Sequence, residues 1–67
     1  MKKEVVFING KREGYAVNQC YDTFTVGELI EYLKYNFDED TPVYINNDNG
    51  YTYGSITEDD IYLGKED

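Results

Sequence analysis

The sequence predicts an α+β fold in which one helix packs on one face of a single sheet, mixed or antiparallel. Three observations carry that expectation. A capped, amphipathic helical segment occupies the middle of the chain, short runs of β-branched and aromatic residues flank it on both sides, and Asn-Gly pairs punctuate those runs.

The helix is the most strongly specified element. Thr25 stands at the N-cap and Glu28 three residues later, the spacing of a capping box. Phe24 before the cap and Leu29 after it form the matching hydrophobic staple. Val26, Leu29, Ile30, Leu33 and Phe37 recur at helical spacing and make one apolar stripe. Glu28, Glu31, Tyr32, Lys34 and Tyr35 fall largely off it. Gly27 costs little so close to the N-terminus, and Asn36 is placed to close the helix in the left-handed conformation.

The strands follow from shorter signals. Val5-Val6-Phe7-Ile8 is a continuous apolar run, which reads as a central strand buried on both faces. Asn9-Gly10 is a hairpin signal, because both residues tolerate a positive φ. Tyr15 to Cys20 then reads as its partner strand. After the helix, Asp38-Glu39-Asp40-Thr41-Pro42 is a loop, since proline disfavours helix at the residue before it. Val43-Tyr44-Ile45 alternates as a strand with Val43 and Ile45 inward. Asn46 to Gly50 is a turn, and Tyr51-Thr52-Tyr53 returns as a strand. Gly54-Ser55 turns or bulges. Thr57 to Asp60 is an acidic loop or a single helical turn capped by Thr57, and Ile61-Tyr62-Leu63 is a last short strand. The order is ββαββ or ββαβββ. From Lys3 to Leu33 a strand, a Gly-Lys turn, a second strand and Thr-Val-Gly-Glu-Leu resemble the opening of the β-grasp (ubiquitin-like) fold. Gly64 precedes a charged tail and not a terminal Gly-Gly, so conjugation is not supported.

Length and charge bound the function. The chain has 67 residues, room for one domain. A chain this short buries only roughly 60% of its unfolded surface, which leaves little space for a deep substrate pocket. Eight tyrosines share the apolar work. The net charge is −8 and it is unevenly placed. Residues 1–37 hold five acids and five bases, whereas residues 38–67 hold nine acids and only Lys65. Such a surface repels nucleic acid and anionic lipid and attracts basic partners. Solubility alone is the competing reading of the same charge.

Catalytic chemistry finds few tools. There is no histidine, Ser55 is the only serine, and Cys20 is the only cysteine. The commonest general base is missing, and Cys20 has no imidazole to activate it. One thiol excludes an intramolecular disulfide and fits a reducing cytoplasm. The four apolar residues after Met1-Lys2-Lys3-Glu4 are too few for a signal-peptide core or a membrane span. A calcium loop fails on register: with Gly50 at its invariant sixth position, Ile45 and Ile56 occupy the first and twelfth, where carboxylates are required. A weak divalent-cation site at the acidic loops stays open. No Gly-rich phosphate loop occurs. The expectation is a non-enzymatic protein with no cofactor.

Tyr44, Tyr51, Tyr53 and Tyr62 are the kind of residue that stacks nucleobases, but no basic groove surrounds them. They suit an arginine-rich protein instead, because a guanidinium stacks on tyrosine while pairing with a carboxylate. The candidate partner-binding set is therefore Asp38, Glu39, Asp40, Tyr44, Asp48, Tyr51, Tyr53, Glu58, Asp59, Asp60 and Tyr62.

The segments Thr-Val-Gly-Glu-Leu-Ile-Glu-Tyr-Leu at 25–33, Phe-Asp-Glu-Asp-Thr-Pro-Val-Tyr at 37–44 and Asp-Asn-Gly-Tyr-Thr-Tyr-Gly at 48–54 carry a resemblance. They are similar to small acidic proteins of prophages and mobile elements in Gram-positive gut bacteria. Among small acidic phage proteins, anti-CRISPR inhibitors of host nucleases are the best-known class. The resemblance implies a phage or mobile-element context; joined to the acidic surface it leads to the expectation of an inhibitor that occupies a basic nucleic-acid-binding surface, and the charge itself argues against direct nucleic-acid or membrane binding. The alternatives are a β-grasp-like regulatory module acting through its sheet edge or its helix (Tyr32 and Tyr35), and a small metal-dependent enzyme. Monomer and homodimer are both open, because edge strands can pair.

Overall fold

A capping box is the clearest case of local chemistry dictating local structure here. In the computed structural model, which describes residues 3–65, α1 spans Val26–Asn36. Glu28 N–H donates to Thr25 Oγ1 at 3.3 Å, and Thr25 N–H donates back to Glu28 Oε1 at 2.9 Å. Both backbone donors would otherwise be orphaned at the helix start. The helix ends differently from expectation. Asn36 does not turn left-handed; Phe37 leaves in an extended conformation. The Asn36 side-chain amide donates to the Tyr32 carbonyl at 2.7 Å. An extended exit leads the chain into the Asp38–Thr41 turn, closed by Thr41 N–H on the Asp38 carbonyl.

Three strands make one open, mixed sheet: β1 Val6–Asn9, β2 Val43–Asn47 and β3 Thr52–Ser55, in the order β1-β2-β3. β1 and β2 are parallel and joined through α1; β2 and β3 form an antiparallel hairpin. The α+β class therefore stands, with the element order βαββ.

Two strands expected from sequence are absent, and the position of a third changes. Tyr15 to Cys20 forms no strand; Val17–Gln19 is a 3-10 turn instead. The Gln19 side-chain carbonyl accepts from the Tyr15 and Ala16 N–H groups, and Glu13 Oε1 accepts from Tyr21 N–H at 2.8 Å. These side chains engage locally the donors that a ladder would need. The hairpin at Asn9-Gly10 does not form, and with it goes the β-grasp opening. β1 pairs with β2, where Val6 meets Val43, Phe7 meets Tyr44 and Ile8 meets Ile45. Such apolar cross-strand pairs outcompete the polar Asn18–Gln19 segment. Since nothing is laddered to its other side, β1 is an edge strand and β2 the central one. Ile61 to Leu63 follows a 3-10 turn at Glu58–Asp60 and carries no ladder.

The hairpin between β2 and β3 forms as expected, but its turn is shorter: Asn46 and Asn47 belong to β2, and Tyr51 precedes β3. Asp48, Asn49 and Gly50 all have positive φ, at 51°, 56° and 90°. Gly50 is needed there twice over: its φ disfavours a side chain, and a Cβ would lie 3.2 Å from Tyr53 Oη. Gly54-Ser55 is part of β3, not a bulge.

Strand alternation divides the sheet into two faces. Val6, Ile8, Val43 and Ile45 share one, and α1 lies on that side. A cleft of about 520 Å³ separates helix from sheet, lined by Val6, Ile30, Leu33, Phe37 and Val43 with Lys34, Asp38, Glu39 and Thr41 at its rim. Val6 is the one buried hydrophobic residue among those described. The Cα radius of gyration is 13.7 Å, against roughly 11 Å for a compact chain of this length. The apolar layers face each other across this cleft, and much of each stays open.

Candidate protein-docking surface

The face opposite the helix is aromatic. Phe7 from β1, Tyr44 from β2 and Tyr53 from β3 fall on it through the registers Phe7 to Tyr44, Tyr44 to Ser55 and Asn46 to Tyr53. The Phe7 and Tyr53 ring centroids are 5.3 Å apart, and those of Phe7 and Tyr44 are 6.5 Å apart, both tilted. Spacings of this order are favourable for aromatic pairs. The cluster is nevertheless open: Phe7 is 49% exposed, Tyr44 37% and Tyr53 59%. Next to Tyr53, Asn46 has a buried side-chain oxygen that accepts no hydrogen bond.

The acidic residues separate into two groups. The loop Asp38-Glu39-Asp40 leads into β2, and the turn Glu58–Asp60 follows β3. β2 and β3 are antiparallel, so the start of one lies beside the end of the other, and both loops sit at the same end of the sheet. Asp60 is partly engaged there. Its Oδ2 accepts from Thr57 N–H at 2.9 Å and from Thr57 Oγ1 at 3.2 Å. A helical turn follows Thr57, but the Thr57 hydroxyl donates to Asp60 and accepts no backbone N–H, so it does not act as the expected cap; Glu58 and Asp59 are left with no such bond. Among the described residues, no three acids gather so as to hold a metal ion.

The remaining members of the expected set lie elsewhere. Asp48 and Tyr51 belong to the β2–β3 turn at the opposite end of the sheet. Asp48 lines a depression of about 350 Å³ together with Lys11 and Arg12. Tyr62 is exposed in the unpaired segment after the last turn. The structure brings together Tyr44 and Tyr53, and separately Asp38, Glu39, Asp40, Glu58, Asp59 and Asp60. It does not bring Asp48, Tyr51 or Tyr62 to them.

Phe7 was missing from the sequence-derived set. A continuous apolar run suggests burial on both faces, and only the sheet order shows that β1 is an edge. Tyr32 is also clarified. Its ring lies 5.4 Å from Phe24 and 6.2 Å from Phe37, in a row of three along the helix, whereas Tyr35 is exposed.

No protein family, curated protein or solved structure matches this chain. Among the described residues, no helix is long and apolar enough to cross a membrane.

Proposed function

We propose that this protein is an acidic binding module that docks on an arginine-rich protein surface. The observation that carries this reading is the open cluster of Phe7, Tyr44 and Tyr53 on a sheet whose one end bears both acidic loops. Guanidinium groups stack on the rings, and Asp38, Glu39, Asp40, Glu58 and Asp59 supply carboxylates for the charges beyond them. Lysine, a compact and strongly hydrated charge, gains less from the same surface. The narrower form of the proposal rests on the resemblance at 25–61. The module is an inhibitor from a phage or mobile element, of anti-CRISPR type, and its target is the basic nucleic-acid-binding surface of a host nuclease.

The direct test compares an oligo-arginine peptide with an oligo-lysine peptide of equal length by isothermal titration calorimetry. Arginine is expected to bind at least about tenfold more tightly, and binding should weaken sharply between about 0.1 M and about 1 M salt, as the screening length falls from about 10 Å to about 3 Å. Tyr44→Ala with Tyr53→Ala should remove the preference for arginine. Asp38→Asn, Glu39→Gln and Asp40→Asn together should weaken both peptides, and Tyr35→Ala should change neither. Equal affinity for the two peptides would remove the aromatic face from the proposal; binding indifferent to salt would remove the acidic loops. For the narrower form, a nuclease captured from host lysate must release single-stranded nucleic acid when the protein is added.

A further inference from the structure

We infer that the outer edge of β1 is a self-association surface, on which a second copy of this chain lays its own β1 antiparallel to form a six-stranded sheet. The backbone supplies the first observation. Val6 N–H and Gly10 N–H are donated toward β2, to the Pro42 and Asn46 carbonyls, so by alternation the amide groups of Val5, Phe7 and Asn9 point away from the sheet. Among the described residues, no other segment donates a backbone hydrogen bond to them or accepts one. The edge has no proline, bulge or inward charge, and its four-residue length is the one protective device it carries.

Charge selects both the direction and the register. The −8 of the chain lies in residues 38–67, and β1 belongs to the neutral part. Joining two β1 edges keeps the acidic regions on the outer flanks of the joint sheet, as β3-β2-β1 followed by β1-β2-β3. Antiparallel pairing also sets the acid-bearing end of one copy beside the Lys11–Arg12 end of the other. If Ile8 meets Ile8 on the two-fold axis, Phe7 and Asn9 exchange backbone hydrogen bonds across it. Were the pairing carried on past β1, Glu4 would then fall opposite Arg12 of the second copy. A register shifted to bring Phe7 against Phe7 places Lys3 opposite Lys11, a like-charge pair.

Area supplies the third observation. The chain exposes 7033 Å², about 2,600 Å² more than the roughly 4,400 Å² expected of a folded monomer of its mass. That excess is at the upper limit of the roughly 1,000–2,500 Å² that each subunit of an obligate dimer buries. Edge pairing alone covers little of it. The two-fold axis stands perpendicular to the sheet, however, so both helices fall on the same side. There Val26 and Ile30, 77% and 58% exposed in one chain, have apolar surface to meet. Self-association through this edge is independent of arginine binding on the aromatic face, and either can fail alone.

Light scattering on the eluted full chain is the first measurement, with a mass twice 7.8 kDa expected. The second is a crosslink. In an antiparallel sheet a non-hydrogen-bonded pair brings its Cα atoms to about 4.5 Å, within disulfide range. Ile8→Cys in a Cys20→Ser background should therefore form a disulfide dimer under oxidised glutathione, whereas Thr52→Cys on β3 should not. Glu4→Arg or Arg12→Glu alone should weaken the dimer by about tenfold, and the two together should restore it. These exposed charges are replaced without disturbing the fold, so they keep the test sharp if the cysteine variant is unstable. A monomer at every concentration, a crosslink through Thr52→Cys in place of Ile8→Cys, or a double variant no tighter than the single ones overturns the inference.

Discussion

The two faces of the sheet are built from the same three strands and differ by one position in register. Val6, Ile8, Val43 and Ile45 lie under α1; Phe7, Tyr44 and Tyr53 lie on the side without a helix. The first face is aliphatic and includes the one buried hydrophobic residue among those described. The second is aromatic, carries hydroxyl groups at its tips and stays open. A period of two lets one strand serve both layers. The difference is one of kind more than of burial: Val6 is buried, but Ile8 on the same face is 40% exposed, as open as Tyr44 at 37% on the other.

Four substitutions sharpen or break that comparison. The largest effect is expected at Val6. Val6→Asp places a charge at the seam between helix and sheet, and should cost about 3 kcal/mol or more. That is a large share of the roughly 3 to 10 kcal/mol that a chain of this length holds. Circular dichroism through a urea titration reads the loss, and a midpoint matching the parent's would show that the aliphatic face is not the structural one. Next is Gly50→Ala, which combines a φ of 90° with a Cβ placed 3.2 Å from Tyr53 Oη. A loss of about 1 to 2 kcal/mol is expected, measured by the same titration.

Thr25→Ala removes the acceptor for Glu28 N–H and should cost about 1 kcal/mol, with most of it regained in Thr25→Ser. If serine fails to recover stability, the hydroxyl is not acting as the cap. The smallest effect on stability should come from Tyr53→Ala, below about 1 kcal/mol, because its ring is more than half exposed. The same variant should show the clearest loss of arginine preference. A Tyr53→Ala protein that unfolds as readily as Val6→Asp would erase the distinction between the faces.

How much could be read in advance depended on how far apart the interacting groups lie in the chain. The helix, its start and its capping box were legible because Thr25 and Glu28 act across three residues, whereas the extended exit at Phe37 was not. The hairpin turn was legible for the same reason, though it is confined to Asp48–Gly50 with Asn46 and Asn47 in β2, and so was a helical turn after Thr57, though not its cap. The pairing of Val5–Ile8 was not. Two candidate partners follow it, and the nearer one, Tyr15–Cys20, is diverted by Gln19 and Glu13 side chains that satisfy its backbone. The candidate site shows the same split. Tyr44 and Tyr53 were found from alternation, but Phe7 was missed, and Asp48, Tyr51 and Tyr62 were grouped with residues that lie apart from them.

By itself the sequence determined the α+β class, the helix, the second hairpin and the confinement of net charge to residues 38–67. These follow from spacing, capping chemistry and composition, all carried by neighbouring residues. Only the tertiary structure decided that β1 is an edge, that β2 is central, and that Phe7 joins Tyr44 and Tyr53 on an open face. It also decided that the two acidic loops share one end of the sheet. Strand order is settled by which cross-strand pairs bury best, and that competition is run between segments more than thirty residues apart.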